Sequence, residues 1–332
     1  MRFIFCLVFA AALANAAKPL DVYFVDVEGG QATLIVTPSK QSILVDTGWA
    51  GFNGRDALRI QSAAKSAGVK HIDYLIMTHY HADHVGGVSQ LVERMPVKTF
   101  VDHGPNRETG KRAEELTAAW DKALATGKRL SVKPGDKLPL KGVDVQFVSA
   151  DGVGISSPVN GGGAANSYCA GKSYPEDPTE NARSTGFLLT YGKFRMLDLG
   201  DLTSRKELEL VCPENKLGKV DLYLTTQHGT NTSNSQALVH AIAPRVAVMN
   251  NGAKKGGAPD SWQTIKSSPG LEDLWQVHFA VAGGKDNNAP DSFIANLDET
   301  CEGKGIKVSV LEDGSFTVLN TRNKYQKSYA AR

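Results

Sequence analysis

Short runs of Val, Ile, Leu and Tyr recur along the chain, and Gly, Pro, Asn or Asp residues close them. The first stretch, "DVYFVDVEGGQATLIVTPSKQSILVDTG" at 21–48, holds three such runs, parted by Glu-Gly-Gly and Pro-Ser-Lys, and predicts a meander of three strands. "GRDALRIQSAAKSAG" at 54–68 places Ala, Leu and Ile at helical spacing and ends on Gly68, the signature of a helix closed by glycine. An apolar strand, "IDYLIMTH", follows. After it the pattern predicts a short helix over 88–95, a strand "VKTFVDH" and a helix over 111–126.

Residues 151–181 break the pattern: Gly, Ser, Asn and Pro dominate, and a loop insert of this length reads as a functional lid or a disordered insert. Regular alternation resumes in the hairpin "STGFLLTYGKFRMLDLGD", turning at Tyr191-Gly192-Lys193. Beyond it come a helix over 202–211, a strand "VDLYLTTQHG", a helical "SNSQALVHAIA", a strand "RVAVMNNG" and a final hairpin around Asp313-Gly314. Strand runs with helices after each run predict two mixed sheets with helices outside, an αββα sandwich of the α/β class.

The amino terminus departs from this pattern. A single Arg2, an apolar run over 3–13 and the small residues Ala14 and Ala16 read as a cleaved secretory signal at 1–16, and the run is too short to span a bilayer. Residues 17–332 then form a single domain, secreted or periplasmic, with no membrane span in the mature chain. Three cysteines remain, Cys169, Cys212 and Cys301, so one disulfide among them leaves one thiol, and spacing does not choose the pair.

With 41% hydrophobic and 22% charged residues and a formal charge of +2, the composition is that of an ordinary globular protein. No basic run is longer than a pair such as Lys254-Lys255, so nucleic acid is a conceivable partner that the charge does not indicate.

The chemistry concentrates at "MTHYHADHVGG". Three of the eight histidines and an aspartate fall within six positions: His79, His81, Asp83 and His84. On an extended segment His79 and His81 share a face, while Asp83 and His84 are presented as the chain turns. Two divergent pairs suit two divalent ions better than one, and imidazole with carboxylate suits zinc, with manganese as the alternative. Gly86 and Gly87 would let the backbone turn tightly beside them. Two later strands also end in candidate ligands, Asp201 in "LDLGD" and His228 in "TTQHG", with Asp198 a rival to Asp201.

Taken in order, "ILVDTG", "THYHADHVGG", "LDLGD" and "QHG" resemble the metallo-β-lactamase-fold hydrolases. The first strand with its Gly-rich turn, "NARSTGFLLTYGKFRMLDLGD" and "QHGTNTS" resemble most the hydrolase domain of ComEC-type DNA-internalisation proteins. The resemblance implies that His79 and His81 hold one ion, that Asp83, His84 and His228 hold the other, and that Asp201 bridges. It also implies that Asp46 orients a histidine from outside the ligand set. Two features depart from that pattern. No histidine lies between His103 and His228, so Asn181 or Ser184 stands where many members carry a further ligand, and Glu28 only approximates an acidic residue of the Gly-rich turn.

His103 either lines the site or is structural; His71, His240 and His278 read as structural, and Trp262, Trp275 and Phe279 as core. Asn231, with Thr230 and Ser233, follows His228 closely enough to contact substrate. Asp83 and Asp201 would orient a metal-activated water. The expected activity is phosphodiester or nuclease-like hydrolysis, with a lactonase or β-lactamase as the alternative. A purely structural metal clip fits less well, because six candidate ligands exceed the four of a closed site.

Overall fold

The computed structural model describes residues 18–332; the signal expected at 1–16 lies outside the described residues. Two mixed sheets stack face to face with helices on both outer faces, giving the expected αββα sandwich. Edge to edge, the first sheet runs Gln326–Tyr329, Phe316–Asn320, Ile306–Val310, Leu20–Phe24, Thr33–Val36, Ser42–Val45, Ile72–Ile76, Val97–Asp102 and Lys128–Ser131. The second runs Ile294–Asn296, Asp273–His278, Val246–Met249, Leu222–Leu224, Phe194–Asp198, Gly186–Tyr191, Asp144–Ala150 and Val153–Gly154.

Strands covered on both faces, such as Thr33–Val36, Ser42–Val45 and Val246–Met249, are buried throughout and read as continuous apolar runs, whereas Leu20–Phe24, Ile306–Val310 and Phe316–Asn320 alternate buried with half-buried positions. In the first sheet Leu20, Val22 and Phe24 point inward to Phe147, Phe187, Leu222 and Trp275 of the second. Their alternates Leu34, Leu44, Leu75 and Phe100 face outward, onto Ile60, Leu116 and Trp120 of the helices Arg55–Ser66 and Lys111–Leu124. The second sheet turns Val148, Leu197, Tyr223 and Ala247 onto Leu208, Leu238 and Ile265 in the same manner.

Three local details differ from the sequence pattern. The strand expected over 220–229 stops at Leu224, because Gln227 and His228 take left-handed backbone angles, φ 51° and 56°, that a strand cannot continue through. Gly87 adopts an ordinary helical φ of −75°; its missing Cβ matters because the Thr47 carbonyl occupies that space. The 151–181 insert lacks long elements, yet it is tethered. Cys169 is disulfide-bonded to Cys212, Ala164–Ala165 pairs with Glu214–Asn215, and the Asn166 amide donates to the carbonyls of Val211 and Ala237 at 2.9 and 3.0 Å. Cys301 is the free thiol among the described residues, and no helix among them is long and apolar enough to cross a membrane.

Candidate metal centre

The parallel strands of both sheets end on one edge of the sandwich, and the chain turns there present the polar side chains. His79, His81, Asp83 and His84 leave strand Ile72–Ile76, Asp201 follows strand Phe194–Asp198, and His228 follows strand Leu222–Leu224. Backbone strain helps to aim them. Besides His228, Asp46 is held left-handed at φ 60°, at a cost of roughly 1 kcal/mol per such residue. Hydrogen bonds fix the His228 turn: Gln227 N donates to Gly200 O at 3.0 Å, and Gly257 N donates to His228 O at 2.9 Å.

Donor atoms of Asp83, His84, Asp201 and His228 lie within 4.8 Å of one another, and all four residues are buried. His84 Nε2 stands 3.3 Å from both Asp83 Oδ2 and Asp201 Oδ1, and His228 Nε2 stands 3.2 and 3.4 Å from the same two oxygens. The His79 ring adjoins this group, 4.1 Å from the His84 ring and 4.6 Å from that of His81. The six sequence candidates are therefore neighbours, with His79 and His81 to one side.

Each histidine of the 79–84 turn has its outer ring nitrogen held. Asp46 Oδ2 takes His84 Nδ1 at 2.7 Å, Thr78 Oγ1 lies 3.0 Å from His79 Nδ1, and Glu108 Oε1 lies 3.0 Å from His81 Nε2. Thr78 is fixed in turn by Asp46, to which its hydroxyl donates at 2.7 Å. The inner atoms are orphaned: His79 Nε2, His84 Nε2, both ring nitrogens of His228 and Asp201 Oδ1 are buried without a hydrogen-bond partner. Buried polar atoms are rarely left unpaired, and metal-bound histidines are commonly anchored through the other nitrogen. The donor set thus fits divalent ions.

The electrostatics agree. Burial raises Asp83 and Asp201, but neighbouring His84 and His228 outweigh it and hold both carboxyls well below their ordinary value. Burial also lowers His84, yet Asp201, Asp83 and Asp46 outweigh it and raise its imidazole well above the ordinary value. At His79 burial, with His84 and His81 alongside, outweighs the pull of Asp201 and Asp83 and holds the imidazole well below its ordinary value. The carboxylates are anionic at neutral pH, as cation ligands must be.

Other sequence candidates separate here. Asp198 is not in the cluster; burial pushes its carboxyl up to about 7, and it accepts from Gln31 Nε2 at 2.8 Å and Gly200 N at 3.0 Å. Of the Gly-rich turn, Gln31 binds Asp198, while Glu28, at a left-handed φ of 56°, meets Arg59 and not the centre. His103 does not join the site: it is buried, meets Glu180 Oε2 through Nε2 at 3.0 Å and packs edge-on against Tyr80.

Ser184 Oγ approaches His79 Nδ1 at 3.5 Å and accepts from Asp201 N at 3.1 Å, so it orients two site residues from outside. The side-chain oxygen of Asn181 is buried and unpaired. Asn181 and Asn231 line a groove with Tyr174, Gln227 and Thr232, whereas Ser233 is committed to Leu202 O and Gln227 at 2.8 Å each. His278 is buried as expected, but it meets Asp26 through Nε2 at 2.8 Å.

Pattern reading missed Glu108, Lys255 and Trp49. The Lys255 ammonium pairs with Asp83 and lies 4.9 Å from the Trp49 ring. No periodicity marks a rim residue; the basic pair Lys254-Lys255 was the one available signal.

Recombination protein 2 of Haemophilus influenzae is 26% identical over 239 residues, covering 71% of this chain and 25% of its own length. ComE operon protein 3 of Bacillus subtilis is 23% identical over 245 residues, covering 70% and 28%. The chain thus spans about a quarter of the length of these relatives. Among solved structures, the metallo-beta-lactamase fold protein YhfI from Bacillus subtilis aligns with a TM-score of 0.46 and 11% identity, over 78% of this chain and 96% of that one. Residues 25–249, a span holding all six clustered donors, match the metallo-beta-lactamase superfamily model, and the chain belongs to that superfamily.

Proposed function

We propose that the protein is an exported two-metal hydrolase that cleaves a phosphodiester. The observation that carries the reading is the convergence of orphaned inner atoms on His79, His84, His228 and Asp201, with the outer nitrogens of the 79–84 histidines held by Asp46, Thr78 and Glu108. His79, His81 and Asp201 would hold one divalent ion, and Asp83, His84, His228 and Asp201 the other. When bound, such a pair supplies an activated water and stabilises charge on the oxygens of the bond being broken.

The chain's own residues do the remaining work. Asp83 and Asp201 face the shared space as hydrogen-bond acceptors that orient the attacking water. Lys255 sits beside Asp83 on the Trp49 face and offers a cation to an anionic substrate oxygen. Asn181 and Asn231 offer amide hydrogen bonds in the adjoining groove, and residues 174–179 of the insert wall it in. Likeness to ComEC-type competence proteins and the Lys255 position both favour a phosphodiester over a neutral lactone. The apolar run over 3–13 and the Cys169–Cys212 disulfide, a bond of oxidising compartments, support export to the periplasm or beyond.

The test is elemental analysis of the purified protein together with parallel assays of bis(p-nitrophenyl) phosphate, an acyl-homoserine lactone and a chromogenic cephalosporin. At least two ions per chain, with phosphodiester cleavage lost in Asp83→Ala and His228→Ala, is the expected result. Lactone or lactam opening in place of phosphodiester cleavage would overturn the substrate assignment, and a metal-free, active protein would overturn the mechanism.

A further inference from the structure

We propose that Asp26, Glu28, His278 and Cys301 form a separate structural zinc site. The donors come from three chain segments: the turn after strand Leu20–Phe24, the end of strand Asp273–His278, and the loop before strand Ile306–Val310. One donor atom from each lies within 4.8 Å of the others. An imidazole nitrogen, a sulfur and two carboxylate oxygens are all donors that zinc takes in tetrahedral sites.

The distances fit such a site. Cys301 Sγ lies 3.1 Å from Asp26 Oδ2 and 3.2 Å from Glu28 Oε1. His278 Nε2 lies 2.8 Å from Asp26 Oδ1 and 3.6 Å from Glu28 Oε2. Tetrahedral zinc with the usual bond lengths has donor-to-donor edges of about 3.3–3.6 Å, and with one donor atom from each residue already within 4.8 Å of the others, shifts of roughly an ångström seat all four.

Protons and charge carry the argument further. The thiol has one proton but faces two carboxylate oxygens, so one of them must lie against the sulfur lone pairs. Arg59 compensates in part, its Nη1 donating to Asp26 Oδ2 at 2.9 Å and to Glu28 Oε1 at 3.1 Å. With a neutral thiol and imidazole the formal charge is −1 −1 +1 = −1. When zinc enters, the thiol proton leaves to solvent and a zinc–sulfur bond forms, and the sum becomes −1 −1 −1 +1 +2 = 0. A buried cluster favours the neutral sum.

The site would clamp the turn that carries Gly29 and Gly30 to the C-terminal loop. That turn lies under the hydrolytic centre, since Gln31 N donates to Asp83 O at 3.1 Å.

The experiment uses the full chain carrying Cys6→Ala, so that Cys301 is the one thiol outside the Cys169–Cys212 disulfide. After chelation the protein is titrated with cobalt(II) and then with zinc. Expected are a near-ultraviolet thiolate-to-cobalt charge-transfer band that zinc abolishes, absent in Cys301→Ser, and zinc protection of Cys301 from iodoacetamide in the Cys6→Ala chain. No band together with zinc-independent alkylation would overturn the proposal. The hydrolytic centre contains no thiolate, so this readout succeeds or fails independently of the hydrolase reading; should Cys301→Ser not fold, the alkylation arm still decides.

Discussion

The hydrolytic centre and the Asp26 cluster draw on similar donor types, yet the chain holds them in opposite ways. At the centre, partners grip the outer nitrogens of the 79–84 histidines and leave the inner atoms unpaired. In the Asp26 cluster the donors face one another and an arginine, so the hydrogen bonding is largely internal. The contrast is the one the two proposals require, a site kept open for chemistry beside one closed for structure. Both set a residue in left-handed backbone, His228 in one and Glu28 in the other, so strain marks a positioned side chain without revealing its task.

The largest effect should come from removing an inner ligand. His84→Ala or Asp201→Ala is expected to lower hydrolysis by more than about 100-fold, beyond the usual loss for an outer partner, with an unchanged far-ultraviolet circular dichroism spectrum. Near-normal turnover in either variant would break the comparison, because the centre would then not be the working site.

Arg59→Met should act on stability alone. It strips the cation from buried Asp26 and from Glu28, whose side chain is 23% exposed, and should cost about 2–4 kcal/mol in urea denaturation with chelator present. Added zinc should recover part of that loss while the ion content of the hydrolytic centre stays the same. A variant as stable as the parent would show that the carboxylates need no compensating cation.

Glu108→Gln sharpens the contrast from the other side. An amide cannot anchor the His81 ring as a carboxylate does, so metal affinity should fall by about 10–100-fold, read by competition with a chelating dye. Unchanged affinity would reduce Glu108 to an ordinary hydrogen-bond partner of the Glu180 amide, which donates to it at 3.0 Å.

The same contrast explains what the sequence could disclose. Four donors within His79–His84 are legible because one chain turn gathers them, and Asp201 and His228 are legible because strand ends are recognisable places. The pairing of Cys301 with Asp26 spans 275 positions, and no local pattern encodes a meeting that only sheet stacking produces. The two-sheet sandwich followed from the order of strand runs and helices, whereas the order of strands within each sheet came only with the structure. The tethering of the 151–181 insert did not, since it rests on the Cys169–Cys212 bond and on Asn166 contacts to distant carbonyls. Glu28 shows the remaining limit: its left-handed turn sends the carboxylate to Arg59 and away from the centre that its place in the Gly-rich turn suggested.

The smallest expected effect concerns a buried carboxylate with no cation at all. Glu207 accepts from the backbone amides of Asn234 and Ser235 at 2.7 Å each, yet burial pushes its carboxyl up to about 7 from an ordinary 4.5. In the unfolded chain the group ionises near 4.5, while in the folded chain it keeps its proton to about 7. Its contribution to stability is therefore complete below about pH 4.5 and is lost as pH rises through 7. Glu207→Gln cannot titrate, and it leaves one of the two amides short of an acceptor, a pH-independent offset of about 1 kcal/mol. The slope is what discriminates: unfolding free energies should show the parent ahead by about 1 kcal/mol at pH 5 and behind by a similar amount at pH 8, a relative change of roughly 2–3 kcal/mol. Parallel curves would mean that Glu207 is already ionised at pH 5, with the two amides alone stabilising a buried charge, in contrast to Asp26, which relies on Arg59.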